Sequence, residues 1–217
     1  MIPRNLHFIW IGDDPLPKWA EENICTWLKF NLGWKVYLWT NRQDRELSRW
    51  MKLSNRSDSL VAYYDGHPNL GTRSDILRLV VLRLFGGLYL DVDIECWGSI
   101  EHWMNREALL IEESAATPGT IGNSLMAFKA HHPFLDFCLA SLVEDAEAHK
   151  ERVSVSTGPG FITRMHRAAL SKIEIVHDHK VFFPFDWAGP RTLFPETTIA
   201  VHQWRGSWRD KPTKTTC

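Results

Sequence analysis

Gly86-Gly87-Leu88-Tyr89-Leu90-Asp91-Val92-Asp93 is the stretch that decides how this 217-residue chain folds. A glycine pair opens a short apolar run that ends on two carboxylates two positions apart, and Ser74-Asp75-Ile76-Leu77-Arg78 leads into it through further apolar residues. That order predicts a helix over about residues 73–85, a glycine turn, and a short buried strand from residue 88 into the acid pair. Strand alternation would project Asp91 and Asp93 from one face. Two like charges side by side are unfavourable without a cation, and hard oxygen ligands at a strand edge suit Mg²⁺ or Mn²⁺. Such an ion commonly accompanies a diphosphate that it neutralises, so the stretch points to a nucleotide-linked substrate.

Outward from this point the chain alternates strands and helices. Residues 6–11 form a continuous apolar run stopped by Gly12-Asp13-Asp14-Pro15, as expected of a central strand. Residues 18–31 place Trp19, Ile24, Trp27 and Leu28 on roughly one helical face, and residues 34–39 read as a second strand. A strand, helix and strand in this order imply a right-handed crossover and a parallel sheet. Further expectations are a helix over 44–53, a short strand over 60–64, strands over 108–112 and 124–128, and a helix over about 134–149 introduced by His132-Pro133. The polar region 150–160, ending in Thr157-Gly158-Pro159-Gly160, reads as a flexible loop. Residues 161–170 look helical, 173–176 and 181–183 strand-like, and 198–201 a final strand. The class is therefore α/β, whose nucleotide crevice lies beyond the carboxyl ends of the strands, where Trp10, Asn41 and Asp93 all fall.

Composition narrows the function. With 44% hydrophobic residues the chain can bury one substantial core. Its 25 Lys and Arg against 26 Asp and Glu leave no global basic field for nucleic acid or an anionic membrane. A locally basic tail, with Arg205, Arg209, Lys211 and Lys214, reads as a solvated terminus. Cys25, Cys96, Cys138 and Cys217 are scattered without a Cys-x-x-Cys pair, which argues for reduced thiols in a cytoplasmic protein. Neither a signal segment nor a membrane span is legible, since Arg78, Arg83 and the Gly-Gly turn cut the longest apolar region; peripheral membrane association stays open.

Four blocks in order carry a resemblance: residues 2–12, 74–78, 86–93 and 201–208, the last being Val201-His202-Gln203-Trp204-Arg205-Gly206-Ser207-Trp208. Together they resemble the DXD sugar transferases, which include yeast initiating mannosyltransferases, bacterial capsular polysaccharide transferases and, more distantly, the large clostridial glucosylating toxins. The resemblance implies a GT-A type single nucleotide-binding domain with a central, mostly parallel sheet flanked by helices. It would span residues 1–217, with the segment from about 198 to 217 closing over the donor site. It further implies transfer of a sugar, with retention of configuration, from a UDP- or GDP-sugar to a polysaccharide, lipid-linked glycan, protein or modified base. The leaving phosphate would then take the acceptor proton.

Residue roles follow block by block. Asp93 is the first choice as direct metal ligand, and the resemblance sends Asp91 to the ribose or to the metal through water. Asp75 and Arg78 share a helix face. Apolar neighbours argue for a buried or cleft-lining pair over a surface ion pair, and the family match assigns Asp75 to sugar hydroxyls and Arg78 to donor sugar or phosphate. Ile9, Trp10 and Ile11 match the nucleobase-stacking strand end. Leu70 to Ser74 aligns with a nucleotide-contacting loop, although Arg73 stands where the toxins have a small residue. Asn41 is a weaker base or ribose contact. Either His202 or Ser207 would complete the coordination sphere, with Trp208 beside it; an imidazole ligand tilts the preference toward Mn²⁺. Asn123 and His132 match an acceptor-side block only loosely, and a helix cap explains His132-Pro133 equally well. Glu95 reads as an ordinary solvated glutamate.

Two rival readings use the same residues. A metal-dependent nucleotidyltransferase or phosphatase would cleave between phosphates and release a nucleoside monophosphate. An inactive carbohydrate-binding module would use the 11 tryptophans as stacking platforms without metal. A glycosidase is disfavoured because two carboxylates one strand step apart cannot flank a glycosidic bond.

Overall fold

A computed structural model of the protein describes residues 1–43, 46, 58–114, 116–150, 152–170, 173–187 and 195–206. Its centre is a six-stranded sheet made of β1 (Asn5–Ile9), β2 (Lys35–Trp39), β3 (Gly87–Leu90), β5 (Ala108–Ile111), β6 (Leu125–Phe128) and β7 (Ile175–Val176). Strand order is β2-β1-β3-β6-β5-β7, and three of the five pairings are parallel: β1 with β2, β1 with β3, and β5 with β7. The remaining two strands, β4 (Ile94–Cys96) and β8 (Ala200–His202), pair antiparallel as a separate ribbon.

Alternation along the central strands supplies both faces of the sheet. Leu6, Phe8, Leu88, Leu90, Leu109, Ile111, Leu125 and Ala127 face α1 (Lys18–Phe30) and the C-terminal residues Phe182, Phe183 and Ala200. Ile9, Tyr89, Leu110, Met126 and Phe128 face the opposite way. There they meet α2 (Asp58–Gly66), α3 (Leu70–Phe85), α4 (Pro133–Ala148) and α6 (Pro159–Ala168). Strands buried on both sides read as near-continuous apolar runs, which is why residues 6–11 and 88–90 stand out in the sequence.

The glycine pair is compulsory. Gly86 and Gly87 have φ of 59° and 111°, a region that side chains rarely adopt. A Cβ on Gly86 would lie 2.5 Å from the Ala130 amide nitrogen, and one on Gly87 2.5 Å from the Asn5 carbonyl oxygen. The turn thus ends α3 and drops β3 directly beside β1. His7, wholly buried, secures it: Nε2–H donates to the Gly86 carbonyl at 2.8 Å while Nδ1 accepts from Trp39 Nε1–H at 3.2 Å. Burial holds this imidazole neutral and lowers its pKa to about 4.

Several elements differ from the sequence expectation. Residues 60–64 lie within α2, where Leu60, Val61 and Tyr64 bury one helical face; a short apolar run containing a β-branched residue conceals that spacing. In α1 the buried positions are Ala20, Asn23, Ile24 and Trp27, whereas Leu28 is exposed. The region around 150–160 holds a helical turn, α5 (Val153–Ser156), and the start of α6 in place of a loop. Residues 181–183 leave a 3₁₀ turn (His179–Val181) and bury Phe182 and Phe183 without joining a sheet. The helix expected over 44–53 lies outside the described residues apart from Glu46. Among the described residues no helix is long and apolar enough to cross a membrane.

Gly87→Ala is expected to cost about 2 kcal/mol or more, because it combines a strained φ with a backbone clash. Thermal denaturation checks this against Gly66→Ala, a site with no atom near the added methyl, whose midpoint should barely move. The histidine gives a pH dependence of definite sign. An unfolded histidine titrates near 6.5, so between that value and about 4 the unfolded chain takes a proton that folded His7 refuses. This stability is present above pH 6.5 and is lost as the pH falls, by up to about 3 kcal/mol. Urea unfolding near pH 7 and pH 5 should show a smaller decrease in His7→Gln than in the parent.

Candidate active site

Asp91 is the first residue beyond β3, and its amide donates to the Ser124 carbonyl at 2.8 Å. Val92 and Asp93 form a turn before β4, so the two carboxylates converge through this turn and not through strand alternation, contrary to the sequence reading. Helix α1 holds the turn from behind. Asn23 Nδ2 donates to the Val92 carbonyl at 3.0 Å, and Trp27 Nε1 donates to that of Ile94 at 2.9 Å.

From the other side β8 closes the turn. The register Ile94↔His202 brings the imidazole Nε2 to 3.2 Å from Asp93 Oδ1. The Gln203 amide donates to the Asp93 carbonyl at 2.9 Å and the Arg205 amide to Asp93 Oδ2 at 2.8 Å. Between them Trp204 takes a left-handed backbone, φ 53°, with its ring stacked on His202 at 3.9 Å. Burial pushes the Asp93 carboxyl up, but the His202 charge and these hydrogen bonds prevail and lower its pKa. His202 shifts the opposite way: burial opposes its charge, and Asp93, Asp91 and Glu113 together raise its pKa.

One ligand atom from each of Asp91, Asp93 and His202 lies within 4.8 Å of the others. The buried His202 Nδ1 has no hydrogen-bond partner among the described residues. Two carboxylates and an imidazole, the latter with an unsatisfied nitrogen, fit a divalent cation of the Mg²⁺ to Mn²⁺ type. Glu95, partly buried in β4, is not in this group.

Next to this group lies a second network built on α3. The Arg78 guanidinium sits 2.9 Å from Asp75 Oδ1 and 3.4 Å from Asp91 Oδ1, donates to the Asn123 carbonyl at 2.7 Å, and lies over the Tyr89 ring at 4.5 Å. Tyr89 in turn donates its hydroxyl to Asp91 Oδ1 at 2.6 Å. Asn123 Nδ2 and Thr157 Oγ1 donate to the two oxygens of Asp75. Burial raises the pKa of both Asp75 and Asp91, with Arg78 as the chief opposing influence. Asp75 and Arg78 thus form the buried pair that their apolar neighbours imply, and Arg78 ties it to the acid turn. Ser74 accepts from the same guanidinium, through its carbonyl at 3.3 Å and its hydroxyl at 3.4 Å.

The other anticipated residues lie around the β1 end. Trp10 is partly buried, donates Nε1–H to the Asp14 carbonyl at 2.8 Å and meets Trp19 edge-to-face; Trp19 carries the Arg205 guanidinium at 4.5 Å. Ile9 is core and Ile11 partly buried beside it. Asn41 exchanges two hydrogen bonds with the Gly12 backbone, at 2.8 and 2.7 Å, and so pins the β1–α1 connection. Leu70 packs over the same glycine. His132 caps α4 by accepting from the Phe134 amide at 3.2 Å. Ser207 and Trp208 lie outside the described residues. Sequence reasoning missed Tyr89, Thr157, Asn23, Trp27 and Glu113. Glu113 is a partly buried carboxylate whose pKa burial raises, within electrostatic reach of His202 and Asp91. Only Tyr89 carried a signal, as it shares strand alternation with Asp91.

A protein family described as the glycosyltransferase sugar-binding region containing the DXD motif matches residues 17–110, the part that holds α1, α3 and the acid turn. Residues 17–110 thus resemble a DXD-type sugar-binding region. Inositol phosphoceramide mannosyltransferase 3 of Schizosaccharomyces pombe is 28% identical over 166 residues, covering 75% of this chain and 44% of that protein. The chain spans about half the length of the curated relatives it matches. Among solved structures, the PaToxG glycosyltransferase superposes with a TM-score of 0.63 at 19% identity, over 78% of this chain and 70% of that one. The UDP-bound glycosyltransferase domain of the YGT toxin does so at 0.51 and 12%, over 77% and 67%. The fold of the chain is that of the GT-A glycosyltransferases.

Removing Arg78 leaves the buried Asp75 and the partly buried Asp91 without their shared counter-charge, so Arg78→Met is expected to cost about 3–5 kcal/mol. Chemical denaturation monitored by circular dichroism checks this, with Lys18→Met, on an exposed ion pair, expected to change stability by less than about 0.5 kcal/mol.

Proposed function

We propose that this chain transfers a sugar, with retention of configuration, from a nucleoside-diphosphate sugar to a hydroxyl-bearing acceptor. The convergence of Asp91, Asp93 and His202 at the end of β3, with both carboxylates inside the stretch that matches a DXD sugar-binding region, carries this reading. A divalent cation held by these residues would supply positive charge against the departing diphosphate. Ser207 and Trp208 are proposed to add a ligand and a cover from the C-terminal segment. The Gln203 and Arg205 amides on Asp93 support closure from that side, and residues 1–217 are read as one catalytic domain.

The remaining roles follow from position. Trp10, flanked by Ile9 and Ile11, presents a partly open indole for a nucleobase, and Asn41 and Leu70 shape the loop beside it. Asp75 accepts sugar hydroxyls. Arg78, engaged on its protein side by Asp75, Asn123 and Asp91, fixes the two carboxylates, with Ser74 on its flank. Little else is required of a base, since the leaving phosphate can receive the acceptor proton.

The imidazole supports Mn²⁺ over Mg²⁺. The UDP-bound toxin domain makes UDP-sugars the first donors to test, and the mannosyltransferase relative makes GDP-mannose the next. That relative's name also makes an inositol-bearing sphingolipid the first acceptor, ahead of polysaccharides. Free thiols at Cys25, Cys96 and Cys138 support a reducing, cytoplasmic setting. Nothing in the match favours phosphoryl transfer or a sugar-binding module.

Incubation with UDP-glucose or GDP-mannose and Mn²⁺ should release nucleoside diphosphate, and chelation should stop it; release of nucleoside monophosphate would refute the reading. Asp93→Ala should reduce that release by about 100-fold or more while circular dichroism shows an intact fold. Trp10→Ala should raise donor KM by roughly 5- to 150-fold, the equivalent of a lost base stack of about 1–3 kcal/mol, with a smaller effect on the melting temperature.

A further inference from the structure

The Thr157-Gly158-Pro159-Gly160 turn has the composition of a mobile loop and the geometry of a clamp. Thr157 and Gly158 both donate their amides to the Val153 carbonyl, at 3.1 and 2.9 Å, which winds the chain tightly off α5. A Cβ on Gly158 would lie 2.9 Å from the Ser154 Cα, and one on Gly160 would lie 3.0 Å from the Val155 Cα. Both glycines are therefore needed for α5 and α6 to pack backbone against backbone, and Pro159 opens α6 where its missing N–H costs nothing. This close packing drives Thr157 into the interior, where it is 1% exposed.

There its Oγ1–H donates to Asp75 Oδ2 at 2.7 Å, across 82 residues of chain. The other oxygen, Oδ1, is engaged by Arg78 Nη2 at 2.9 Å and Asn123 Nδ2 at 2.8 Å. Three donors from three separate elements thus set the plane of one carboxylate. Each carboxylate oxygen accepts about two hydrogen bonds, so Oδ1 is saturated and Oδ2 retains a single acceptor position. Without the threonine hydroxyl, no described side chain would fix Oδ2.

We propose that Thr157 is a positioning residue that aims the remaining acceptor position of Asp75 Oδ2 at a hydroxyl of the donor sugar. The proposal rests on the reading of Asp75 as a donor-sugar contact. It assigns the turn to sugar recognition, separate from nucleotide binding, and this separation makes it testable. A purely structural threonine would weaken everything the site binds. A positioning threonine affects only donors that carry a sugar.

Thr157→Val removes the hydroxyl at nearly constant shape, and Thr157→Ser keeps it. Donor hydrolysis is measured with UDP-glucose and GDP-mannose in Mn²⁺, together with inhibition by UDP or GDP lacking sugar and the unfolding midpoint of each variant. The expected result is a fall in kcat/KM of about tenfold or more in Thr157→Val, the pairwise loss typical of a hydrogen bond to a charged group. The nucleotide inhibition constant should stay within about twofold, and Thr157→Ser should remain near the parent. Equal losses in sugar-donor turnover and nucleotide inhibition, or no loss in either, overturn the proposal. If Thr157→Val does not fold, Thr157→Ser still decides, because a folded serine variant with tenfold lower kcat/KM refutes the role of the hydroxyl. A parent protein that releases no nucleoside diphosphate from either donor refutes the transferase reading itself, whereas an active parent with an indifferent Thr157→Val refutes only the positioning role.

Discussion

A single guanidinium, that of Arg78, ties α3 to the acid turn and to the segment that leads into β6. It projects from α3 between Asp75, on its own helix, and Asp91, at the end of the central strand β3, with the Tyr89 ring against one face. Burial alone would drive both carboxylates toward their neutral forms. Arg78 opposes this, and its planar fork, unlike the point charge of a lysine, reaches both acids and the Asn123 carbonyl at once. The chain order of α3, the glycine turn and β3 is therefore matched by an electrostatic tie from α3 to the far end of β3.

The acid turn beyond β3 is built from two sides. Helix α1 satisfies the Val92 and Ile94 carbonyls through Asn23 and Trp27, so the turn is held from behind while its two carboxylates converge on His202. The ribbon of β4 and β8 then sets His202 and the Arg205 amide against Asp93. The result concentrates Asp75, Asp91, Asp93 and Glu113 around one guanidinium and one imidazole. Such a surplus of negative charge in a partly buried site is what a divalent cation would offset.

Much of the fold is legible because β1, β3, β5 and β6 are buried on both faces and leave apolar runs bounded by glycine, proline and acidic residues. Residues 60–64 show where that signal fails: five residues contain too few turns to separate a helix from a strand. The turn at 157–160 fails for another reason, since glycine and proline mark both flexible loops and close backbone packing. Within the candidate site, Asp75, Arg78, Asp91, Asp93 and His202 are readable as chemistry-bearing residues in distinctive blocks. Asn23, Thr157 and Glu113 are not, because each acts on a partner about 70 or more positions away, or across the sheet, with no local pattern to mark it.

By itself, the sequence determined the α/β class, the glycine turn and the pair of carboxylates that follows the central strand, since these follow from local sterics, alternation and charge. Only the tertiary structure decided that Asp91 and Asp93 converge through a turn, that His202 joins them, and that Thr157 seals Asp75. Those outcomes depend on the register of β4 with β8 and on how closely α5 approaches α6, which are distances between segments remote in the chain.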